Sequence, residues 1–243
     1  MGNARLYHGE GDSSVSEALT MLEPRALTLG FARRFATYKR AALLFSDLEN
    51  AVRVFSDPMR PVQVVFAGKA HPKDDAGKHE MQTILHMAED GRFKGKVIFL
   101  DDYDMGLART LVRGVDVWLN NPRRPREASG TSGQKVIAHG TLNCSILDGW
   151  WAEASNGQNG FNIGAVAEAE DPLEQDRIDA NALYQVLLTE LIPEFFERDD
   201  KEIPRKWVAR MRNSMMTNLP RYNTDRMVLD YVHQFYAPMA RQA

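Results

Sequence analysis

The chain has 243 residues, 44% of them hydrophobic and 26% charged, with a formal net charge of −3. That length can bury a substantial core, and the near-neutral charge gives no sign of a general nucleic-acid or membrane surface. The single cysteine, Cys144, excludes an intramolecular disulfide framework and points to a reducing cytoplasm.

Residues 1–25 are polar and irregular and read as a lead-in segment, with one short helix expected over 14–22, before Pro24. The opening M-G-N-A-R-L has no apolar segment behind it, so no signal peptide is expected. Leu6 also breaks the myristoylation pattern. No apolar run reaches the length of a membrane span.

The first strand is expected over 26–31. The basic segment A-R-R-F-A-T-Y-K-R follows, running into an amphipathic helix through Ala41, Leu43, Leu44 and Leu48. Arg33, Arg34, Lys39 and Arg40 are either a solvated basic face or a cluster that neutralises phosphate. A second, apolar strand is expected over 62–67, followed by G-K-A-H-P and a long helix through Glu80, Ile84, Leu85 and Ala88. His71 and His79 fit no zinc-ligand spacing and have no cysteine beside them, so no metal is expected. Further strands are expected over 96–100, 115–119 and 143–147, with a short sixth over 161–164. From Asp171 the pattern is helical. Leu183, Val186, Leu187 and Leu191 share one predicted face; Val208, Met211, Met215 and Met216 share the next; Val228, Val232, Phe235 and Tyr236 share the last.

Strands alternating with helices predict an α/β domain with a doubly wound parallel sheet over 26–170, and residues 171–243 form a helical extension packing on it. Ligands of such sheets bind beyond the carboxyl ends of the strands. Arg34, Lys39, Gly68, Tyr103 and Glu127 all follow strand ends. No G-x-G-x-x-G follows the first strand, which argues against a nicotinamide cofactor.

The organising stretch is 127–149, E-A-S-G-T-S-G-Q-K-V-I-A-H-G-T-L-N-C-S-I-L-D-G. A loop of small residues opens a helix there, carrying Val136, Ile137 and Leu142 on its apolar side. Unpaired N–H groups and the helix dipole make such an opening an anion site. Glu127 stands where it can accept from sugar hydroxyls, and the Lys135 amine suits a Schiff base or a phosphate partner. The same composition also describes an ordinary capped loop with a solvated lysine.

Five motifs taken together, A-R-R-F-A-T-Y-K-R, F-A-G-K-A-H-P, V-I-F-L-D-D-Y, E-A-S-G-T-S-G-Q-K and L-D-G-W-W, closely resemble the C-terminal half of α-glucan (glycogen, starch or maltodextrin) phosphorylases. The shorter bacterial and archaeal type is most similar, from about Leu27 to the end, including P-R-K-W-V-A-R-M. The resemblance implies the Rossmann-like C-terminal domain of a two-domain, GT-B-type glycosyltransferase. It implies transfer of glucosyl units between α-1,4-glucan and inorganic phosphate, giving glucose 1-phosphate, with pyridoxal 5′-phosphate as cofactor. It implies a Schiff base on Lys135, substrate phosphate on Arg34 and Lys39, and cofactor contacts from Arg33, Tyr103, Thr131, Ser132 and Gly133. Glu127, Ser129 and Gly130 would bind glucosyl hydroxyls.

An N-terminal phosphorylase domain is the partner the resemblance implies; no nucleic acid or membrane is expected, and the family allows a homodimer. Gln134 and His139 stand where the family usually has Met and Asn, and Asp104 where the longer, animal-type enzymes have a basic residue. Two alternatives stay open. One is a nucleotide-sugar-dependent glycosyltransferase of the glycogen-synthase kind, in which a second glutamate follows the first after seven residues; Lys135 holds that place here. The other is a non-catalytic carbohydrate-binding remnant.

Overall fold

The computed structural model describes residues 22–164 and 169–241. The helix expected over 14–22 therefore lies almost wholly outside the described residues. Six strands form one fully parallel sheet: β1 Leu27–Ala32, β2 Val62–Ala67, β3 Val97–Leu100, β4 Val117–Asn120, β5 Leu142–Ile146 and β6 Phe161–Ile163. Their order is β3-β2-β1-β4-β5-β6, so the chain reverses direction across the sheet between β1 and β4. That reversal opens a crevice at the carboxyl ends of those two strands.

Alternation along the strands builds two cores. Leu27, Leu29 and Phe31 of β1 join Val62, Val64 and Phe66 of β2 on one face. Val65 and Ala67 of β2 join Ala32, Trp118 and Val136 on the other. The one polar intruder in β2, Gln63, is satisfied: its Nε2 donates to Thr28 Oγ1 (2.8 Å) and its Oε1 accepts from the Glu23 N–H (3.0 Å). The helices over the sheet are α1 Leu48–Phe55, α2 Asp75–Glu89, α3 Met105–Gly114, α4 Thr131–Ile137 and α5 Trp150–Ala154. Asp47, Asp74 and Asp104 cap α1, α2 and α3 by accepting from Asn50, Gly77 and Leu107 N–H groups.

Three helical expectations need correction. The basic segment does not run straight into a long helix. It makes two short 3₁₀ turns, Thr37–Lys39 and Ala41–Phe45, broken by Arg40 in a left-handed conformation, and α1 starts only after Asp47. The central helix stops at Ile137, and Leu142 belongs to β5; Gly140 (φ +83) turns the chain between them.

The third correction concerns the C-terminal part, with α6 Pro172–Val186, a π-helical turn Leu187–Leu191, α7 Ile192–Phe196, α8 Arg205–Asn218, α9 Thr224–Tyr231 and α10 Ala237–Ala240. The face of Leu183, Val186, Leu187 and Leu191 is buried as expected. On α8 the buried residues are Trp207, Ser214 and Asn218, with Met211 packed against the core, whereas Met216 is 70% exposed and Val208 lies open as well. Trp207 decides the rotation, because its indole packs on Phe161 (5.9 Å) and Phe195 (5.1 Å). The apolar residues of the last stretch, Val228, Val232, Phe235 and Tyr236, are exposed.

Candidate functional site

The site is built at the β1/β4 reversal. Beyond Ala32 the chain stays beside the segment that follows β2: the Arg33 and Phe35 N–H groups donate to the Ala67 and Lys69 carbonyls (3.1 Å each). This carries Arg33 over the end of β4. One guanidinium nitrogen of Arg33 bonds Asn120 Oδ1, Asn120 Nδ2 donates to Ser145 Oγ (3.0 Å), and that hydroxyl donates to the Ile146 carbonyl (2.8 Å). Arg33 is thus anchored across three adjacent strand ends.

The 3₁₀ turn after Ala36 brings Lys39 to the same place. Lys39 Nζ lies 3.0 and 3.3 Å from the two Glu127 carboxylate oxygens, and Arg33 Nη2 lies 3.2 Å from Oε2. Both cations are only 8% exposed. Aromatic faces support them: Lys39 stands over Tyr38 (5.0 Å) and Arg33 over Phe31 (5.9 Å). Two buried cations facing one carboxylate leave the cluster with an excess of positive charge. Burial pushes the Arg33 guanidinium below its ordinary range, opposed by Glu127, Tyr38 and Tyr103. Its Nε is buried without a partner.

Glu127 is held by its own backbone. Its N–H donates to Asp148 Oδ2 (2.9 Å), and the Gly149 N–H takes Asp148 Oδ1 (2.8 Å). The Trp150 N–H then donates to the Ser129 carbonyl (3.0 Å). The two loops press so closely that a Cβ on Gly149 would lie 2.7 Å from the Ser129 oxygen and 2.9 Å from the Glu127 oxygen, at φ +55. Gly130, also left-handed (φ +87), opens α4, and its carbonyl accepts from the Gly133 N–H (3.1 Å). Ser132 Oγ accepts from Trp118 Nε1 (3.1 Å), and the Gly133 carbonyl from Asn143 Nδ2 (3.0 Å).

The remaining sequence-predicted residues divide by exposure. Tyr103 is half-buried, with its hydroxyl 3.5 Å from the Ala32 carbonyl; burial raises its phenol and Arg33 opposes that rise. Arg34, Ser129, Thr131 and Lys135 are exposed, and Lys135 sits in the last turn of α4. Among the described residues Arg34 and Lys135 have no ion pair. Arg40, the fourth cation of the basic segment, leaves the cluster. It is 4% exposed and turns to Asp176 (2.9 Å) and Asp179 (2.8 Å) on α6, while Nε and Nη2 donate to the Asn121 and Pro122 carbonyls (2.8 and 2.9 Å).

Asn120 and Asp148 escaped the sequence reading. The only signal for them is a polar residue at the end of an apolar strand. No group of three or more His, Cys, Asp or Glu side chains able to hold a metal occurs among the described residues, and no described helix is long and apolar enough to cross a membrane.

Chemically the crevice offers two buried cations, an unpartnered guanidinium N–H, a phenol and an unpaired surface amine on an adjacent helix. These groups suit a phosphate-bearing ligand with a carbonyl for the amine. Comparison with known proteins agrees in kind. A family model for carbohydrate phosphorylases matches residues 17–236. The chain is 47% identical over 224 residues to a maltodextrin phosphorylase of Thermococcus litoralis, which accounts for 92% of this chain and 26% of that protein. It is 45% identical over 221 residues to a glycogen phosphorylase of Aquifex aeolicus, covering 91% of this chain and 32% of that one. It is 43% identical over 236 residues to a glycogen phosphorylase of Mycobacterium bovis, covering 97% and 27%. The chain therefore spans about a quarter to a third of the length of the curated relatives it matches. On the extent of that match, together with the parallel sheet and its cationic crevice, the chain belongs to the carbohydrate phosphorylase family.

Proposed function

We propose that this chain is the cofactor- and phosphate-binding domain of an α-1,4-glucan phosphorylase, which splits glucan ends with inorganic phosphate to give glucose 1-phosphate. The observation that carries the proposal is the convergence of buried Arg33 and Lys39 on Glu127 at the β1/β4 crevice. Two phosphate groups in one site repel, and dense cationic charge in a water-poor crevice offsets that repulsion.

In this reading Lys135 is the amine that holds pyridoxal 5′-phosphate, with Arg33, Tyr103, Thr131, Ser132 and Gly133 around it. The orphaned Arg33 Nε supports the assignment, since it is a buried donor awaiting an acceptor. When bound, the cofactor would supply a phosphate that gives and takes a proton near neutral pH. Arg34, exposed, reaches the substrate phosphate from the solvent side while Lys39 holds it from the buried side. Their charge steadies the oxygen that attacks the glucosyl carbon. Glu127, Ser129 and Gly130 orient the glucosyl hydroxyls. The rest of the sugar and cofactor contacts come from a second, facing domain of the GT-B arrangement. The single buried thiol, Cys144, suits a reducing cytoplasm.

The test combines the purified chain with the portion of the maltodextrin phosphorylase that the match leaves uncovered, plus pyridoxal 5′-phosphate, maltoheptaose and inorganic phosphate. Glucose 1-phosphate is the expected product, abolished by Lys135→Ala. Product that persists in the Lys135→Ala variant would refute the assignment, as would its absence from a demonstrably assembled complex.

A further inference from the structure

We infer that Glu127 is an internal counter-anion that inorganic phosphate displaces. One carboxylate thereby couples the arrival of an anion to the release of a hydrogen-bond acceptor for a hydroxyl-rich ligand. The inference rests on the phosphate-binding reading of the crevice and adds to it an order of events.

Lys39 and Arg33 both direct their charge at Glu127, and all three side chains are no more than 10% exposed. Both carboxylate oxygens accept from Lys39 and one of them also forms an ion pair with Arg33, so Glu127 is occupied by charge and poorly disposed to receive sugar hydroxyls. Among the described residues the other acidic group at this turn, Asp148, is tied to the Glu127 and Gly149 N–H groups. Among the described residues, Glu127 is therefore the carboxylate that neutralises the pair. Phosphate brings up to two negative charges and several acceptor oxygens to the same donors, so it outcompetes a single carboxylate there.

Release needs no backbone movement. The Glu127 N–H stays on Asp148 and the loop stays pressed on Gly149, so a change of side-chain rotamer suffices. The freed carboxylate remains at the mouth of the crevice with its lone pairs available. By linkage, a polyol that takes the freed carboxylate strengthens phosphate binding to the same degree.

The experiment is calorimetric titration of inorganic phosphate, at constant ionic strength, into the full chain and its Glu127→Gln and Lys39→Met variants. Removing the competitor is expected to tighten phosphate binding by about fivefold or more in Glu127→Gln, within the usual range of coupling between sites, whereas Lys39→Met weakens it. Equal or weaker binding by Glu127→Gln, with phosphate still bound by the parent chain, overturns the exchange and leaves the phosphate-binding reading standing. Failure of both the parent chain and Glu127→Gln to bind phosphate overturns both. Should Glu127→Gln fail to fold, the parent chain decides. The Glu127 carboxyl ¹³C resonance, assigned by its loss in Glu127→Asp, should move on phosphate saturation, and an unmoved resonance refutes displacement.

Discussion

Arg40→Met separates the structural cation of the basic segment from the cations proposed to bind phosphate. Arg40 is buried and bonds two carboxylates and two backbone carbonyls, while the Asn121 side chain donates back to its own carbonyl (2.8 Å). Asp179 is itself 2% exposed, and loss of Arg40 leaves it buried without a counter-ion. Breaking a buried pair from one side costs about 3–5 kcal/mol, because the remaining charge is uncompensated. Asp176 keeps Arg123 as a partner, which argues for the lower part of that range. In a domain of this size, a loss of that magnitude lowers Tm by roughly 6–20 °C. Arg34→Met, earlier in the same segment and exposed, should change stability by less than about 0.5 kcal/mol. Urea unfolding followed by circular dichroism reads both. The effect of Arg40→Met should persist in high salt, which screens exposed pairs far more than buried ones. A loss below about 1 kcal/mol, the range of exposed pairs, would refute the claim that Arg40 clamps the Asn121–Pro122 segment to α6.

Other perturbations probe the remaining parts. Trp207→Ala removes the indole that seats α8 on Phe161 and Phe195 and should cost about 3–5 kcal/mol by denaturant unfolding. Gly149→Ala puts a Cβ against two backbone oxygens in a glycine-only conformation and should cost about 1–3 kcal/mol by denaturant unfolding. Asp116 accepts from the Thr28 N–H (2.9 Å), yet burial raises its carboxyl above the ordinary value. A group whose folded-state value is raised contributes stability that is full below the unfolded value and is lost as pH rises through the folded one. Asp116→Asn keeps the acceptor without the charge, so it should unfold at higher urea than the parent at pH 7, with the gap closing below about pH 4. A parent that remains the more stable at pH 7 would contradict that sign.

The sheet was legible because its strands are short apolar runs with clear ends. Residues 62–67 lie between Pro61 and Gly68, and the expected strand coincides with β2. Strand order was not legible, because nothing local to β1 says that β4 and not β3 lies beside it. Periodicity was half right on α8: Met211 and Met215 of the expected face pack inward, but Val208 and Met216 stay open because one large aromatic, Trp207, sets the rotation. At 224–240 an apolar stripe stays exposed: patterning shows that a face seeks cover, not that the chain provides it. At the crevice, residue types and motifs drew attention to Arg33, Lys39 and Glu127. Their three-way pairing spans 88 residues from Lys39 to Glu127 and has no sequence signature. Charge alone likewise gave no way to tell Arg40 from its neighbours, since the carboxylates that claim it lie far along the chain on α6.

Cofactor trapping on Lys135 is the most direct measurement. The purified chain is titrated with pyridoxal 5′-phosphate, reduced with borohydride and mapped by peptide mass spectrometry, beside a Lys135→Ala control. Lys135 is exposed and unpaired, so the control should keep the stability of the parent within about 0.5 kcal/mol. The expected result is an absorbance band and a single reduced adduct on Lys135, both absent from the control. Adducts scattered over surface lysines with Lys135 unmodified, or an unchanged band in Lys135→Ala, would contradict the assignment of this crevice as a phosphorylase cofactor site.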